Sequence, residues 1–326
     1  MARAITVYDH IAQNNRKTWL LVALFPVSLT VLVFFACLLG MFLSDESIVN
    51  EGVSLLPENW QYTMNNQFGA AIGFTLDLLL PIFLVGFIWM GISYFFGKDM
   101  MIFFAGGKRL EKKQNPMVYN IVENTAIMAG LPMPEIYIIK DDSLNAFATG
   151  IKPGDAAIAL TRGIIGRLNK TELQGVVAHE MAHIGNRDIR LNMLIITGLG
   201  IFECLGRRML FAETGRGNSK KGSGALLVIF VGIAFLIFNF IIAPLIHMAI
   251  SRKREFVADA TGAKILHNPK ALADALEKIA KDSRVEILDN QKNMSVACIA
   301  SPFAKMNQLT STHPPIEERI RRLRAM

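Results

Sequence analysis

Charge is scarce in this chain of 326 residues: Asp, Glu, Lys and Arg make up 19% of it, whereas 52% is hydrophobic and the mean hydropathy is +0.35. A domain folded in water carries about 25% charge, so an ordinary soluble globule is excluded. Cysteine is scarcer still, with Cys37, Cys204 and Cys298 the only three. Two lie in apolar runs and the third stands alone, so neither a disulfide framework nor a cysteine-rich structural metal site is indicated, and a reducing compartment fits. Repeats and low-complexity segments are absent. The stretch 44–67 has no Lys or Arg, although it holds Asp45, Glu46, Glu51 and Glu58. The net charge of +7 therefore gathers elsewhere. Basic residues beside apolar runs suit anionic lipid and give no reason to invoke nucleic acid.

Uncharged runs are long. Thr18 to Leu43 is 26 residues without a charge, and Phe68 to Phe96 is 29 residues with Asp77 alone. A bilayer crossing needs about 20 residues. The first run exceeds the apolar region of a cleaved signal peptide, and Ser44-Asp45-Glu46 offers no small-x-small site, so an uncleaved anchor is expected. Arg3, Arg16 and Lys17 precede the first run; Lys98, Lys108, Arg109, Lys112 and Lys113 follow the second. The positive-inside rule then puts the N-terminus, and the chain from about residue 100, in the cytoplasm. Asp77 and Glu203 lie inside apolar runs with no identified partner, and His247 reads as a satisfied polar group near the membrane surface.

Between these runs the chain reads as α+β and mostly helical. Asn115-Pro116 caps a helix carrying Val118, Ile121, Val122 and Ile127, which Gly130 ends. Residues 135–140 and 156–161 read as strands, with a loop over 141–155 between them, and 269–281 as a helix; 314–324 closes the chain with Arg319, Arg321, Arg322 and Arg324. A further helix starts near Asn169, with Glu172 three residues on, or at Thr171 with Gln174.

That helix carries His179-Glu180-Met181-Ala182-His183. Two imidazoles four residues apart share a helix face and can reach one ion, while Glu180 leans toward the open coordination position. A catalytic zinc takes three protein ligands and a water. A third histidine further along the same motif is excluded, because Asn186 and Ile189 stand at the positions it would need. Glu255 can be the third ligand, and Asp259, one turn on, can hold a histidine ring.

His179-Glu180-x-x-His183 followed by Glu255-x-x-x-Asp259 resembles the membrane zinc metalloproteases of the HtpX type, relatives of the CAAX prenyl proteases. Asn145-Ala146-Phe147-Ala148-Thr149-Gly150, Ser311-Thr312-His313-Pro314-Pro315, Arg319 and Ile320 extend the likeness over almost the whole chain, and no ligand position departs from the pattern. The resemblance implies a thermolysin-like (gluzincin) domain with a small sheet, attached to two to four transmembrane helices. It implies one Zn2+ per chain on His179, His183 and Glu255, with Glu180 as base and Asp259 behind a histidine. It further implies His313 as oxyanion donor supported by Arg319, and a substrate strand added at a sheet edge near Asn145, Ala146, Ala156 and Ile158. The implied activity is endoproteolysis of misfolded or membrane proteins at the cytoplasmic face of a bacterial plasma membrane, in quality control and stress response. A processing peptidase for a CAAX-type or signal-like peptide, or a non-catalytic membrane scaffold, is the alternative.

If His183 and Glu255 share an ion, the chain between them crosses the membrane an even number of times. The runs 191–206 and 224–250 therefore either both span or neither does. The loop between them, with Arg207, Arg208, Arg216, Lys220 and Lys221, opposes a full hairpin by the positive-inside rule, yet a spanning hairpin is expected, the first run lengthened by continuing from the motif helix. The expected organisation is an anchor over 1–100, with spans 18–43 and 68–96, and a protease domain over 101–326 that this hairpin interrupts.

Overall fold

A computed structural model describes residues 7–44, 60–214, 229, 231–233, 235–237, 254–280 and 314–326. His313, His247, Cys298 and most of the run 224–250 lie outside the described residues. The elements are α1 (Val7–Ser44), α2 (Trp60–Phe104), β1 (Gly107–Arg109), α3 (Pro116–Ala129), β2 (Glu135–Ile139), β3 (Ala146–Thr149), a 3-10 turn (Pro153–Asp155), β4 (Ala157–Thr161), α4 (Arg162–Arg167), α5 (Lys170–Gly185), α6 (Asp188–Thr214), α7 (254–266), α8 (Pro269–Ile279) and α9 (Ile316–Arg324). The fold is mostly helical with one small mixed sheet.

Two compact units divide the chain, one of residues 1–19, 92–197 and 244–326, the other of 20–91 and 198–243. In the second unit Leu24, Val31, Phe35, Leu80, Phe87 and Ile88 are all exposed. Apolar surface on that scale belongs against lipid. Among the described residues, the stretches long and apolar enough to cross a membrane are Ala12–Phe35, Leu79–Phe104 and Asp188–Phe211. The third gains its length differently from the sequence expectation. It does not continue the motif helix: Asn186 caps α5, Arg187 turns left-handed at φ 57, and α6 begins afresh at Asp188.

In the first unit local signals set the elements. Asn115 accepts from the Val118 amide, Pro116 opens α3, and Gly130 closes it at φ 65, a conformation glycine adopts without a Cβ clash. At the start of α5 the structure selects Asn169 with Glu172, a reciprocal capping box with both bonds made (2.9 and 2.8 Å).

The sheet order is β1-β2-β4-β3. β4 is parallel to β2 and antiparallel to β3, so it is paired on both sides. Two strands were not expected. Residues 146–149 read as loop yet form β3, because Ala146 to Thr149 pair with Leu160 to Ala157, and β1 takes its register from β2. The core lies between sheet and helices, where Ile136, Ile158 and Leu160 meet Val118 and Val122 of α3, Val176 and Met181 of α5, and Leu272 and Leu276 of α8. α5 is buried almost all round, which explains why its sequence shows little amphipathic contrast.

Candidate active site

The helices on either side of α5 approach it closely because glycine stands at the crossings. A Cβ on Gly175 would lie 2.7 Å from the Leu272 nitrogen, so α8 packs directly on the α5 backbone. A Cβ on Gly262 would lie 3.0 Å from the His179 nitrogen, so α7 lies against the turn that carries the motif. Glu255, Asp259 and Gly262 recur at intervals of four and three on α7 and share one face. That face is turned to the histidines.

His179 and Glu180 are buried and His183 is 9% exposed. The Nε2 atoms of His179 and His183 are 3.1 Å apart. Glu255 sets Oε1 at 3.5 Å from His183 Nε2 and Oε2 at 3.7 Å from His179 Nε2. Two donors at about 2.0–2.1 Å from a tetrahedral ion stand about 3.4 Å apart, so this triangle fits a zinc-sized cation. Both carboxylate oxygens of Glu180 are buried and lack a hydrogen-bond partner among the described residues. Such a carboxylate is costly unless a cation or water answers it, which again suits a metal site.

Each histidine has a carboxylate behind it. Asp259 Oδ1 lies 2.9 Å from His179 Nδ1, and Asp188 Oδ2 lies 3.0 Å from His183 Nδ1. The Asp188 hydrogen bond keeps the proton on His183 Nδ1 and turns Nε2 to the centre, and Asp259 stands at ion-pair distance behind His179. Sequence reasoning named Asp259 and missed Asp188. It also missed Arg254, 3.4 Å from Asp188 Oδ1 and hydrogen-bonded to Asn192 at 3.0 Å. Arg319 is buried and grips Asp259 with two bonds, Nη2 to Oδ1 at 2.7 Å and Nε to Oδ2 at 2.9 Å. Its guanidinium also reaches the triangle, Nη1 at 3.5 Å from Glu255 and the same Nη2 at 3.4 Å from His179. Arg322 lies 3.9 Å above the Phe256 ring and fastens α9, the helix of Arg319, to α7.

The electrostatics follow. Burial raises the Glu180 carboxyl above its ordinary pKa, with His179 and His183 pulling the other way. Burial would lower His183, but the Asp188 hydrogen bond and the charges of Glu255, Asp188 and Glu180 outweigh it and push the ring up to about 9. Asp259 would rise on burial, yet Arg319 and His179 hold it well below the usual carboxylate range.

The residues expected to face substrate are divided. Asn145 and Ala146 lie at the start of β3, which has a neighbouring strand on one side only among the described residues. Ile158 is paired on both sides, to Ile136 and Ala148, so its main chain has no edge left for an added strand. Ala156 is buried and its carbonyl is already bonded to the Glu135 amide at 2.9 Å. Their main chains are thus already engaged, whereas β3 has a side without a strand partner among the described residues. Glu203 has a partner after all in Arg207, at 2.9 Å one helical turn on, and Asp77 is exposed on α2.

Comparison with known proteins gives the family. "Protease HtpX homolog" of Bacteroides fragilis (strain YCH46) is 35% identical over 321 residues, 95% of each chain. The protein of the same description from Thermoanaerobacter pseudethanolicus is 35% identical over 326 residues, 98% of each. The crystal structure of S. mikatae Ste24p is 22% identical with a TM-score of 0.45, and the match covers 76% of this chain and 58% of that one. The profile described as Peptidase family M48 matches residues 112–326, the segment that supplies the histidine pair, the glutamate of the triangle and the carboxylates behind it, and with relatives so similar along nearly their whole length this chain belongs to peptidase family M48.

Proposed function

We propose that this membrane-integrated metalloprotease is a zinc endopeptidase with one ion per chain, held by His179, His183 and Glu255. On this reading it cleaves misfolded or membrane proteins at the cytoplasmic face of a bacterial plasma membrane, in quality control under stress. The observation that carries the proposal is the ligand triangle of 3.1, 3.5 and 3.7 Å with the unpartnered Glu180 carboxylate beside it. A buried motif helix, a small sheet and a glutamate on a later helix support a thermolysin-like (gluzincin) reading of the domain.

Zinc held there by His179, His183 and Glu255 would supply the Lewis acidity that lowers the pKa of a water toward about 7 and polarises the scissile carbonyl. Glu180, with its raised pKa, takes the water proton and delivers it to the leaving amine. Asp188 and Asp259 hold the histidines with Nε2 inward. Arg319, anchored on Asp259, lies where it can offset negative charge on the reacting carbonyl, and His313 is the proposed second donor. The substrate backbone pairs with β3 beside Asn145 and Ala146, and main-chain pairing asks little of the substrate's side chains, which supports broad preference.

The N-terminus and catalytic unit face the cytoplasm, anchored by the first two spans. α6 and the run 224–250 cross as a pair so that His183 and Glu255 meet on one side. The 27 residues of α6 support a full crossing.

The test is Glu180→Gln in purified full-length protein. It should keep zinc and lose proteolysis of an unfolded membrane protein by about 100-fold or more. Full turnover by the zinc-loaded variant would overturn the assignment. Rapid cleavage of one prenylated peptide by the wild type, with unfolded proteins untouched, would instead favour the processing role.

A further inference from the structure

The catalytic unit includes the first part of α1, up to Trp19, and one side chain there leads to the ligand triangle. Asn14 is buried and donates from Nδ2 to Asp188 Oδ1 at 2.6 Å and to the Asn186 carbonyl at 3.1 Å. The same Asp188 holds His183 Nδ1 with its other oxygen at 3.0 Å, and Arg254, the neighbour of Glu255, approaches Oδ1 at 3.4 Å. One buried carboxylate thus faces an amide from α1, an imidazole from α5 and a guanidinium from α7. An acceptor used on both oxygens cannot rotate without breaking a bond, so the donors on Oδ1 set the direction in which Oδ2 meets the imidazole. Asn14 supplies the shortest of these contacts. It also grips the carbonyl of Asn186, the residue that caps the motif helix.

We propose that Asn14 is a positioning residue for the metal: it fixes Asp188, and through Asp188 the tautomer and ring orientation of His183, so that docking of the first helix is a condition for tight metal binding. This rests on the reading of His183 as a ligand. The helix that anchors the chain is then also part of what assembles the site, and a catalytic segment without it would bind metal weakly. Asn15, the next residue, accepts a hydrogen bond from Arg190 and makes a second clamp between α1 and α6. None of its described contacts leads to a ligand, which makes it a control.

The experiment measures zinc affinity of the full chain in detergent against a competing chelator, with melting of the metal-free protein followed in parallel. Asn14→Ala should weaken zinc binding by about 3- to 10-fold, and Asp188→Asn by about 10- to 100-fold, as loss of a ligand's partner does. The double variant should bind no worse than Asp188→Asn alone. Asn15→Ala should change the melting temperature at most. Asn14→Asp, which sets a carboxylate against Asp188, should weaken zinc at least as much as Asn14→Ala and serves if the alanine variant does not fold. Unchanged affinity in the Asn14 variants, losses that add to that of Asp188→Asn, or an equal loss in Asn15→Ala would each overturn the proposal. If His183→Ala itself retains full affinity, the ligand reading fails; if it does not and Asn14 variants are silent, only this inference fails.

Discussion

Metal affinity should climb about tenfold per pH unit between pH 7 and 9 and then level off, because His183 must shed a proton before it can ligate. The ring gives up the Nε2 proton, since Nδ1 stays bonded to Asp188 at 3.0 Å. In the metal-free protein the ring's pKa is pushed up to about 9 from an ordinary 6.5. Across two pH units the gain is about 100-fold. The sign for the metal-free fold is opposite. A pKa raised on folding adds stability that is fully present below the unfolded value of about 6.5 and is lost as pH rises through about 9. The metal-free protein should therefore melt lower at pH 9 than at pH 6.5 while the metal-loaded protein gains on it. Competition against a chelator of known pH dependence measures the affinity, and scanning calorimetry the two melting curves. An affinity that is flat from pH 7 to 9 and falls only below 6.5 would refute the argument. Asp188→Asn should shift the bend downward toward about 6.5 and lower the plateau as well, so the loss of affinity predicted for this variant is the difference between plateaus, read above pH 9.

Glu255→Ala should lower zinc content itself, since a ligand is removed, and unchanged stoichiometry in elemental analysis would point to another residue. Asp259→Asn should weaken zinc by about 10- to 100-fold without abolishing it; because Arg319 loses one charged partner too, denaturant unfolding should also show a loss. Gly175→Ala forces a Cβ to 2.7 Å from the Leu272 nitrogen and should cost about 1–3 kcal/mol of stability as α8 is displaced, so a wild-type unfolding midpoint would argue that the crossing relaxes freely. Cysteines placed in 44–67 should react with impermeant reagents on intact cells and those near residue 110 should not; the reverse pattern would invert the proposed orientation.

Helices were legible where their end signals are local. Asn115-Pro116 with Gly130, and Asn169 with Glu172, sit within a few residues of what they cap, and the structure uses each of them. Strands were legible in proportion to how much of their identity is their own. β2 and β4 are apolar runs and were located within a residue, whereas β3 is four buried residues with no alternation and β1 is Gly-Lys-Arg. Both take their conformation from a partner, β3 from β4 and β1 from β2. Without β3 the sequence leaves β4 bare on one side, where Leu160 to Ala157 in fact pair with Ala146 to Thr149.

The site divides the same way. His179 and His183 are visible in sequence because four residues on a helix return to the same face, and Glu255 with Asp259 repeats that spacing on α7. Asp188 comes five residues after His183, which on an unbroken helix would point about 140° away from it. Helical periodicity therefore argues against the pair. What brings them together is the left-handed turn at Arg187, with φ 57, which ends α5 and lets Asp188 reach back to the ring as α6 begins. Asn14 is further still from any local rule, since 174 residues separate it from Asp188 and only the packing of α1 beside the end of α5 joins them. Glu203 was overlooked for a plainer reason. Its partner Arg207 stands four residues on, just past the end of the apolar run at Gly206, so a reading that stopped with the hydropathy stopped one residue before the charge that answers it.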